Sequence, residues 1–409
     1  MADYDIYVGI DWGTLTHQVC MTDAHGQPLD ELAVAHSGPG LTALVAALRR
    51  SGGEPARIAV AIETPRGAVV DTLLEQGVHV YTLNPKQVDR FRDRHTVAGA
   101  KDDRRDALVL ADALRTDRGA FHRLQPDDPR IVQLRELSHL TEDLTQERGR
   151  LANRLRAQLL RIWPAVLTLA PAADEPWLWT LLERAPDPVQ AQRLPRRALR
   201  AVLATHRIRR ITAEGLHAVL QEPCLPTAPG TVEAAREHMA VLVPRLRLVA
   251  TQQTHCARRL EELLAALAAP DTAERREHRD VTILRSLPGV GRVVAATMLA
   301  EAARPLAARD YQMLRAYAGV APVTRQSGKT RLVSMRRSCS GRLRTAVFHW
   351  ATNSIRLDPR WRAHYDRLRQ RHSHARALRG VADRMLGVLV VMLNTGTLYD
   401  PARRATRAA

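Results

Sequence analysis

The chain of 409 residues has only four cysteines, Cys20, Cys224, Cys256 and Cys339, and no two of them stand in a CxxC spacing. That excludes a thiolate zinc knuckle and a disulfide frame, and it fits a reducing cytoplasmic compartment. No apolar run approaches the roughly 20 residues that a membrane span requires. No basic segment followed by an apolar one opens the chain, so neither a secretory signal nor a membrane partner is expected. Lysine is scarce, with Lys86, Lys101 and Lys329 the only three among 61 basic residues. Acid is missing selectively. From Val281 to Ala409 there are 24 Lys+Arg against 6 Asp+Glu, whereas the first 280 residues hold 37 of each sign. A GC-rich coding sequence explains arginine in place of lysine, but not the loss of acids from one third of the chain. The whole net charge of +18 therefore sits in that third, which predicts a C-terminal domain that binds a polyanion.

At this length two or three domains are expected. Residues 1–125 read as an α/β unit. Strands are expected at Tyr4–Ile10, Gln18–Thr22 and Glu31–Ala35, then in the runs RIAVAIE ending at Glu63 and VHVYTL closed by Asn84 and Pro85. Helices are expected at Leu41–Arg50, Gly67–Gln76, Lys86–His95 and Asp102–Arg115. The order β-β-β-α-β-α-β-α is that of the ribonuclease H-like fold, which actin-like ATPases share. Residues 126–275 turn helical. Leu137, Leu144 and Leu151 recur every seven residues, and a second long helix is expected over Thr231–Ala268. The pair suggests an antiparallel hairpin or an intermolecular coiled coil. Between them, residues 165–230 are rich in Ala, Pro and Arg and promise only short helices. The third segment, 276–409, reads as helical, with a polar basic loop at Thr324–Gly341.

Four acids of the first unit stand at telling positions. Asp11 closes the first strand in YVGIDWGTLTH, Glu63 closes the fourth, and Asp103 and Asp106 lie on one face of the helix opened by KDDRRDALVLADALR. Gathered together, four carboxylates cannot stay ionised without cations, and hard oxygen donors select Mg²⁺ or Mn²⁺. Two such ions could serve phosphodiester chemistry. Each acid alone is as well explained as a strand end or helix cap, Asp102 and Asp103 in particular. The Gly13-Thr14 turn after Asp11 also suits an actin-like ATPase. That reading needs a second Gly-rich phosphate loop, and none follows a strand between Ile62 and Leu287.

In the basic third, SLPGVGRVVAATMLAE (Ser286–Glu301) is a glycine turn opening a helix. Gly289, Gly291 and Arg292 there could meet a phosphate, as in helix-hairpin-helix elements. Downstream, Arg325, Lys329, Arg331, Arg336 and Arg337 belong to seven basic residues between Thr324 and Arg344, a stretch without acid. Gly328-Lys329-Thr330 is no P-loop, because Val323 stands where the upstream glycine is required. Ser327 could attack a phosphodiester between its cationic neighbours. On the residues alone, it reads better as a phosphate-contacting turn.

The stretches I-D-W-G, A-I-E-T and K-D-D-R-R-D-A, with L-P-G-V-G-R-V-V-A-A-T-M-L-A-E, A-Y-A-G-V-A-P-V-T-R-Q-S-G-K and G-T-L-Y-D-P in the same order, resemble the DEDD transposases of bacterial insertion sequences, relatives of the Piv DNA invertases. The resemblance covers both ends of the chain and leaves the middle unmatched. It implies a RuvC-like domain whose metal acids map onto Asp11, Glu63, Asp103 and Asp106, and a nucleophilic serine that maps onto Ser327. It further implies recombination through a transient serine–phosphate link to donor and target double-stranded DNA in the bacterial nucleoid. Some relatives are guided by a structured noncoding RNA from the element. A homo-oligomer, dimer or tetramer, is implied, with composite sites built from the RuvC-like domain of one subunit and the serine domain of another. Two departures bear on the sites. Asp102 replaces the usual Thr before the third acid, which leaves Asp102 and Asp103 as alternatives. The serine is followed by S-M-R-R-S-C-S-G-R-L-R where S-K-R-G-N-x-x-L-R is common, which leaves Ser334, Ser338 and Ser340 as rival nucleophiles. The expectation is a transposase or site-specific recombinase. Its rivals are a RuvC-like nuclease using water and a catalytically silent nucleic-acid-binding protein.

Overall fold

A computed structural model describes residues 4–52, 54–83, 88, 91, 102–126, 128–269, 276–328 and 330–401. The chain forms two compact units, Met1–Asp128 and Pro129–Ala409. The first is a mixed α/β sheet. Its strands are β1 (Ile6–Asp11), β2 (Thr16–Asp23), β3 (Pro28–Ala35), β4 (Ile58–Ile62), β5 (His79–Thr82) and β6 (His122–Arg123), in the spatial order β3-β2-β1-β4-β5-β6. β1, β4 and β5 are mutually parallel, while β2, β3 and β6 run antiparallel to their neighbours. The unbroken apolar run IAVAI of β4 is buried throughout, as a central parallel strand covered on both faces requires. β6 is a strand that the sequence pattern does not announce. The helix expected at Lys86–His95 lies outside the described residues.

Two faces of this sheet bury different sets of side chains. Val8, Ile10, Val60 and Ile62 pack with Leu44 and Leu48 of α1 (Gly38–Arg50) and Leu73 of α2 (Ala68–Glu75). Tyr7, Ala59 and Ala61 pack on the other side with Leu110, Ala113 and Leu114 of α3 (Asp103–Asp117).

The second unit is mostly helical and has two cores. α4 (Pro129–Ile162) and α9 (Thr231–Ala268) pack along each other. Arg148 Nη1 donates to Gln253 Oε1 at 3.0 Å, and Leu134 shares a core with Leu260, Leu264 and Leu267. The pair is therefore the antiparallel hairpin within one chain. Residues 165–230 fill its far end with α5 (Pro176–Arg184), α6 (Pro188–Gln192), α7 (Arg196–Thr205) and α8 (Ala213–Leu220). The near end supports α10 (Arg276–Ser286), α11 (Arg292–Glu301), α12 (Ala303–Ala307), α13 (Tyr311–Tyr317), α14 (Gly341–Leu357), α15 (Pro359–Arg369) and α16 (His374–Thr395). The stretch Thr324–Gly341, read from sequence as a loop, contains instead a β-hairpin, β7 (Val323–Ser327) with β8 (Thr330–Ser334). Among the described residues no helix is long and apolar enough to cross a membrane.

Candidate active site

The four predicted acids occupy one end of one sheet face. Ile10 pairs with Ile62 in the parallel register of β1 and β4, so Asp11 and Glu63, each one residue further on, come out level with one another. Strand alternation puts Asp11 on the side of Tyr7 and Gly9, the side covered by α3. That helix presses on β1 at Gly9, where an added Cβ would stand 1.8 Å from the Ala107 carbonyl oxygen and 2.7 Å from the Ala111 nitrogen. At the other end of the helix the Arg118 guanidinium lies over the Tyr4 ring, 4.9 Å from its centroid. α3 thus runs antiparallel to β1. Asp11 lies two residues beyond Gly9, or about 6.6 Å. Asp103 lies four residues before Ala107, or about 6 Å along the helix axis. The first turn of α3 therefore reaches the level of Asp11.

Asp106 is only 4% exposed, whereas Asp103 is exposed and Asp11 and Glu63 are half-buried. Asp102 is the N-cap, its carboxylate accepting the Arg104 backbone N–H at 3.2 Å, which commits it to the helix end and leaves Asp103 as the first helical acid. Carboxylates in this first turn also gain from the positive end of the helix dipole. The donor set is all oxygen and fits a hard divalent ion. Among the described residues, however, no three His, Cys, Asp or Glu side chains close around a point that could hold one. Gln18, directly opposite Asp11 on β2, shares its face; only the β1–β2 register reveals it. The Gly13-Thr14 turn proves to be the tight connection from β1 to β2. A Cβ at Gly13 would lie 2.2 Å from the Thr16 carbonyl oxygen, and the Gly13 N–H donates to His17 Nδ1 at 3.3 Å.

Ser327 is the last residue of β7, at the tip of the hairpin. It pairs with Thr330, and Gly328, next in the chain, has φ +55°; Lys329 lies outside the described residues. Directly paired residues of antiparallel strands share a face, and faces alternate along each strand. Ser327 therefore shares its face with Arg325, Thr330 and Leu332, while Gln326 and Arg331 take the opposite one. Apart from the half-buried Val323, both strands are exposed along their length.

Of the rival serines, Ser340 is already engaged. It caps α14, accepting the Leu343 N–H at 3.2 Å and donating to Glu301 Oε2 at 3.0 Å, and His139 Nε2 meets Glu301 Oε1 at 2.7 Å. This knot fastens the stem of the hairpin to α4 and α11. Sequence reasoning does not single out Glu301, whose only signal is its place at the end of the L-A-E run. Ser334 lies on β8 opposite Val323, and Ser338 is exposed in the loop beyond. Arg337 is exposed too, and Arg336 is half-buried.

The glycine turn before α11 divides in two. Gly289, at φ +80°, backs onto α14, where a Cβ would meet the Ser354 nitrogen and Oγ at 2.8 Å. Ser354 Oγ and Trp350 Nε1 both donate to the Pro288 carbonyl, at 2.6 and 3.0 Å. Gly291 and Arg292, by contrast, face solvent at the helix start.

Two family models match the chain, the first of them running past the end of the α/β unit into α4. Residues 8–164 match a transposase family model of the DEDD type, and residues 281–366 match the model of the transposase IS116/IS110/IS902 family. The "Mini-circle putative transposase for IS117" of Streptomyces coelicolor is 32% identical over 409 residues, 97% of this chain and 96% of its own. The "Putative transposase y4uE" of Sinorhizobium fredii is 40% identical over 279 residues, 67% of this chain and 74% of its own. The "Insertion element IS110 uncharacterized 43.6 kDa protein" of Streptomyces coelicolor is 28% identical over 97% of this chain and 96% of its own.

Proposed function

The chain belongs to the IS116/IS110/IS902 family of transposases, and on that premise we propose that it cuts and rejoins DNA with Ser327 as nucleophile and with Mg²⁺ or Mn²⁺ held by Asp11, Glu63, Asp103 and Asp106. The observation that carries this reading is the hairpin. It lifts Ser327 to an exposed tip with Arg325 on the same face, a guanidinium about two residues, or ~7 Å, along the strand. The Ser327 hydroxyl attacks phosphorus, an Oγ–P bond forms, and the P–O bond to one DNA strand breaks. The proton lost from Ser327 Oγ is balanced by the one that the departing oxygen takes up as it leaves as a hydroxyl. Arg325 meets the negative charge that gathers on the phosphoryl oxygens. In the second step, a hydroxyl of another DNA end attacks the same phosphorus and releases the serine. A bound divalent cation would supply further charge neutralisation at the oxygens that change bonds.

The sheet of the first unit, with two antiparallel strands followed by parallel ones and an α-helix bearing acids across β1 and β4, supports a ribonuclease H-like, RuvC-like assignment. The residues that hold donor and target duplexes are proposed to include Arg292, Arg325, Lys329, Arg331, Arg336 and Arg337, with Gly291 opening the helix end and Gly289 shaping the turn. A homo-oligomer with composite sites, and an element-encoded guide RNA, complete the proposal.

Adduct capture tests it. Protein, flank-derived RNA and labelled donor and target DNA would be mixed with Mg²⁺, denatured and run on a gel. Label that stays with the wild-type chain but not with Ser327→Ala supports the serine link. Cut DNA with free ends and no adduct would replace it with a water-using nuclease. Binding without any cutting would leave a silent nucleic-acid-binding protein.

A further inference from the structure

A groove of about 670 Å³ opens among α4, α11 and α14 in the second unit. That is the size of a small-ligand site, for which roughly 300–1,000 Å³ is usual. Its α4 wall carries hydroxyls, but they are spent within the helix. Ser138 Oγ donates to the Arg135 carbonyl at 2.8 Å, Thr141 Oγ1 to Leu137 at 2.7 Å, and Thr145 Oγ1 to Thr141 at 2.7 Å. Val293 and Val294 of α11 and Ala346 of α14 make the interior mostly apolar, with the Thr297 hydroxyl of α11 among them.

Most rim charges are already engaged. Arg342 is bound to Glu142 at 2.8 Å and to Asp143 at 3.5 Å, and Glu261 to Arg285 at 2.7 Å. What remains is one cation, Arg292, which makes no ion pair among the described residues. Two neutral polar side chains, His349 and Asn353, stand one helical turn apart on α14 and are both exposed.

One positive charge, an apolar slot and two hydrogen-bonding groups describe the complement of a single nucleotide: one phosphate, a flat ring and a polar ring edge. A duplex would need several cations on an open surface. An apolar helix from a protein partner would bury the imidazole and the amide without hydrogen bonds, at a cost. We propose that this groove is a single-nucleotide pocket. It receives one unpaired base of a nucleic-acid strand, with Arg292 on the phosphate and His349 and Asn353 on the base edge.

The inference uses only the nucleic-acid handling in the reading above and needs neither cleavage nor a serine link. The full chain would be titrated against labelled oligothymidylate and against an abasic strand of the same length and charge, at fixed salt. Val293→Trp and Thr345→Trp would each fill the groove from exposed positions without removing a charge. Wild type should prefer the strand with bases by about tenfold. Both filled variants should lose that preference while binding the abasic strand as wild type does. Equal binding of the two strands by wild type would overturn the pocket. So would a preference that survives in both filled variants. Filled variants that change the size of the assembly but keep the preference would mark the groove as a protein interface instead. A Ser327→Ala protein that retains the base preference but forms no adduct, beside a wild type that forms none either, would break only the serine reading.

Discussion

Gly9→Ala is the smallest change that addresses the acidic end of the sheet. The new Cβ would sit 1.8 Å from the Ala107 carbonyl oxygen, where ordinary contact begins near 3.4 Å, so about 1.6 Å must be recovered. Neither obstacle can rotate away, because the Ala107 oxygen and the Ala111 nitrogen are both backbone. The helix itself has to lift from β1, loosening the packing of Leu110, Ala113 and Leu114 against Tyr7 and Ala61. Overpacking of this kind costs about 1–3 kcal/mol, and a clash with backbone on both sides belongs at the upper end. Asp103 and Asp106 ride on the displaced turn while Asp11 and Glu63 stay with the sheet. A shift near 1 Å between partners of one reaction is worth about a hundredfold in rate. The assay is twofold: hydrogen exchange of the peptide spanning α3, with α4 as internal reference, and strand transfer in Mg²⁺. Gly119→Ala, just beyond the helix with nothing within 4 Å of its Cβ, is the control and should change neither. If Gly9→Ala exchanged α3 amides and transferred strands at wild-type rates, the apposition of α3 and β1 would be wrong, and with it the alignment of the first turn of α3 with the level of Asp11.

Two further outcomes follow from named contacts. Glu301→Ala removes the acceptor shared by His139 and Ser340 and leaves both without that partner at the hairpin stem. It should cost about 2–3 kcal/mol in urea unfolding and lower adduct yield more than DNA affinity. An unchanged unfolding midpoint would show that the knot is dispensable. His17 is fully buried against His36, with Nε2···Nδ1 at 2.8 Å, and burial, reinforced by His36, holds its pKa below the ordinary value of 6.5. Above pH 6.5 it is neutral whether folded or not. Below 6.5 the unfolded chain takes a proton that the folded one refuses, so stability falls as pH drops, by at most about 1.4 kcal/mol per unit. Urea midpoints between pH 7.5 and 5 should fall for wild type and less for His17→Gln, and equal slopes would remove His17 as the cause.

How far the fold could be read depended on what each residue faced. β4 is legible because IAVAI is covered on both sides, and the long helices because leucines recur along one stripe. The hairpin at Val323–Ser334 was opaque for the opposite reason. Apart from the half-buried Val323 both of its faces are exposed, so no apolar alternation marks it, and only Val323, Thr324, Thr330, Val333 and the Gly328 turn carry a strand signal. In residues 165–230 composition promises only short helices, and short helices are what the fold has. Pro176 and Pro188 open helices, where a missing N–H costs nothing, and behind them Trp177 and Trp179 are wholly buried. Gly9 could be seen as a glycine in a strand, but not as the place where a helix some hundred residues later would land.

Charge shows the same limit from another side. The basic surplus after Val281 said that a polyanion binds, yet a sum counts every arginine alike. In the fold, Arg309 is held by Asp280, Arg315 by Asp383, Arg342 by Glu142 and Arg360 by Asp358. Those four serve packing and are poor candidates for phosphate contact, since freeing one would strand its carboxylate. Arg292 at the head of α11 and Arg325, Arg331 and Arg337 on and beyond the hairpin make no such pair among the described residues. The cations left to meet nucleic acid therefore include those flanking the one serine that stands at an exposed tip. That coincidence, rather than the total of +18, is what ties the charge to the proposed chemistry.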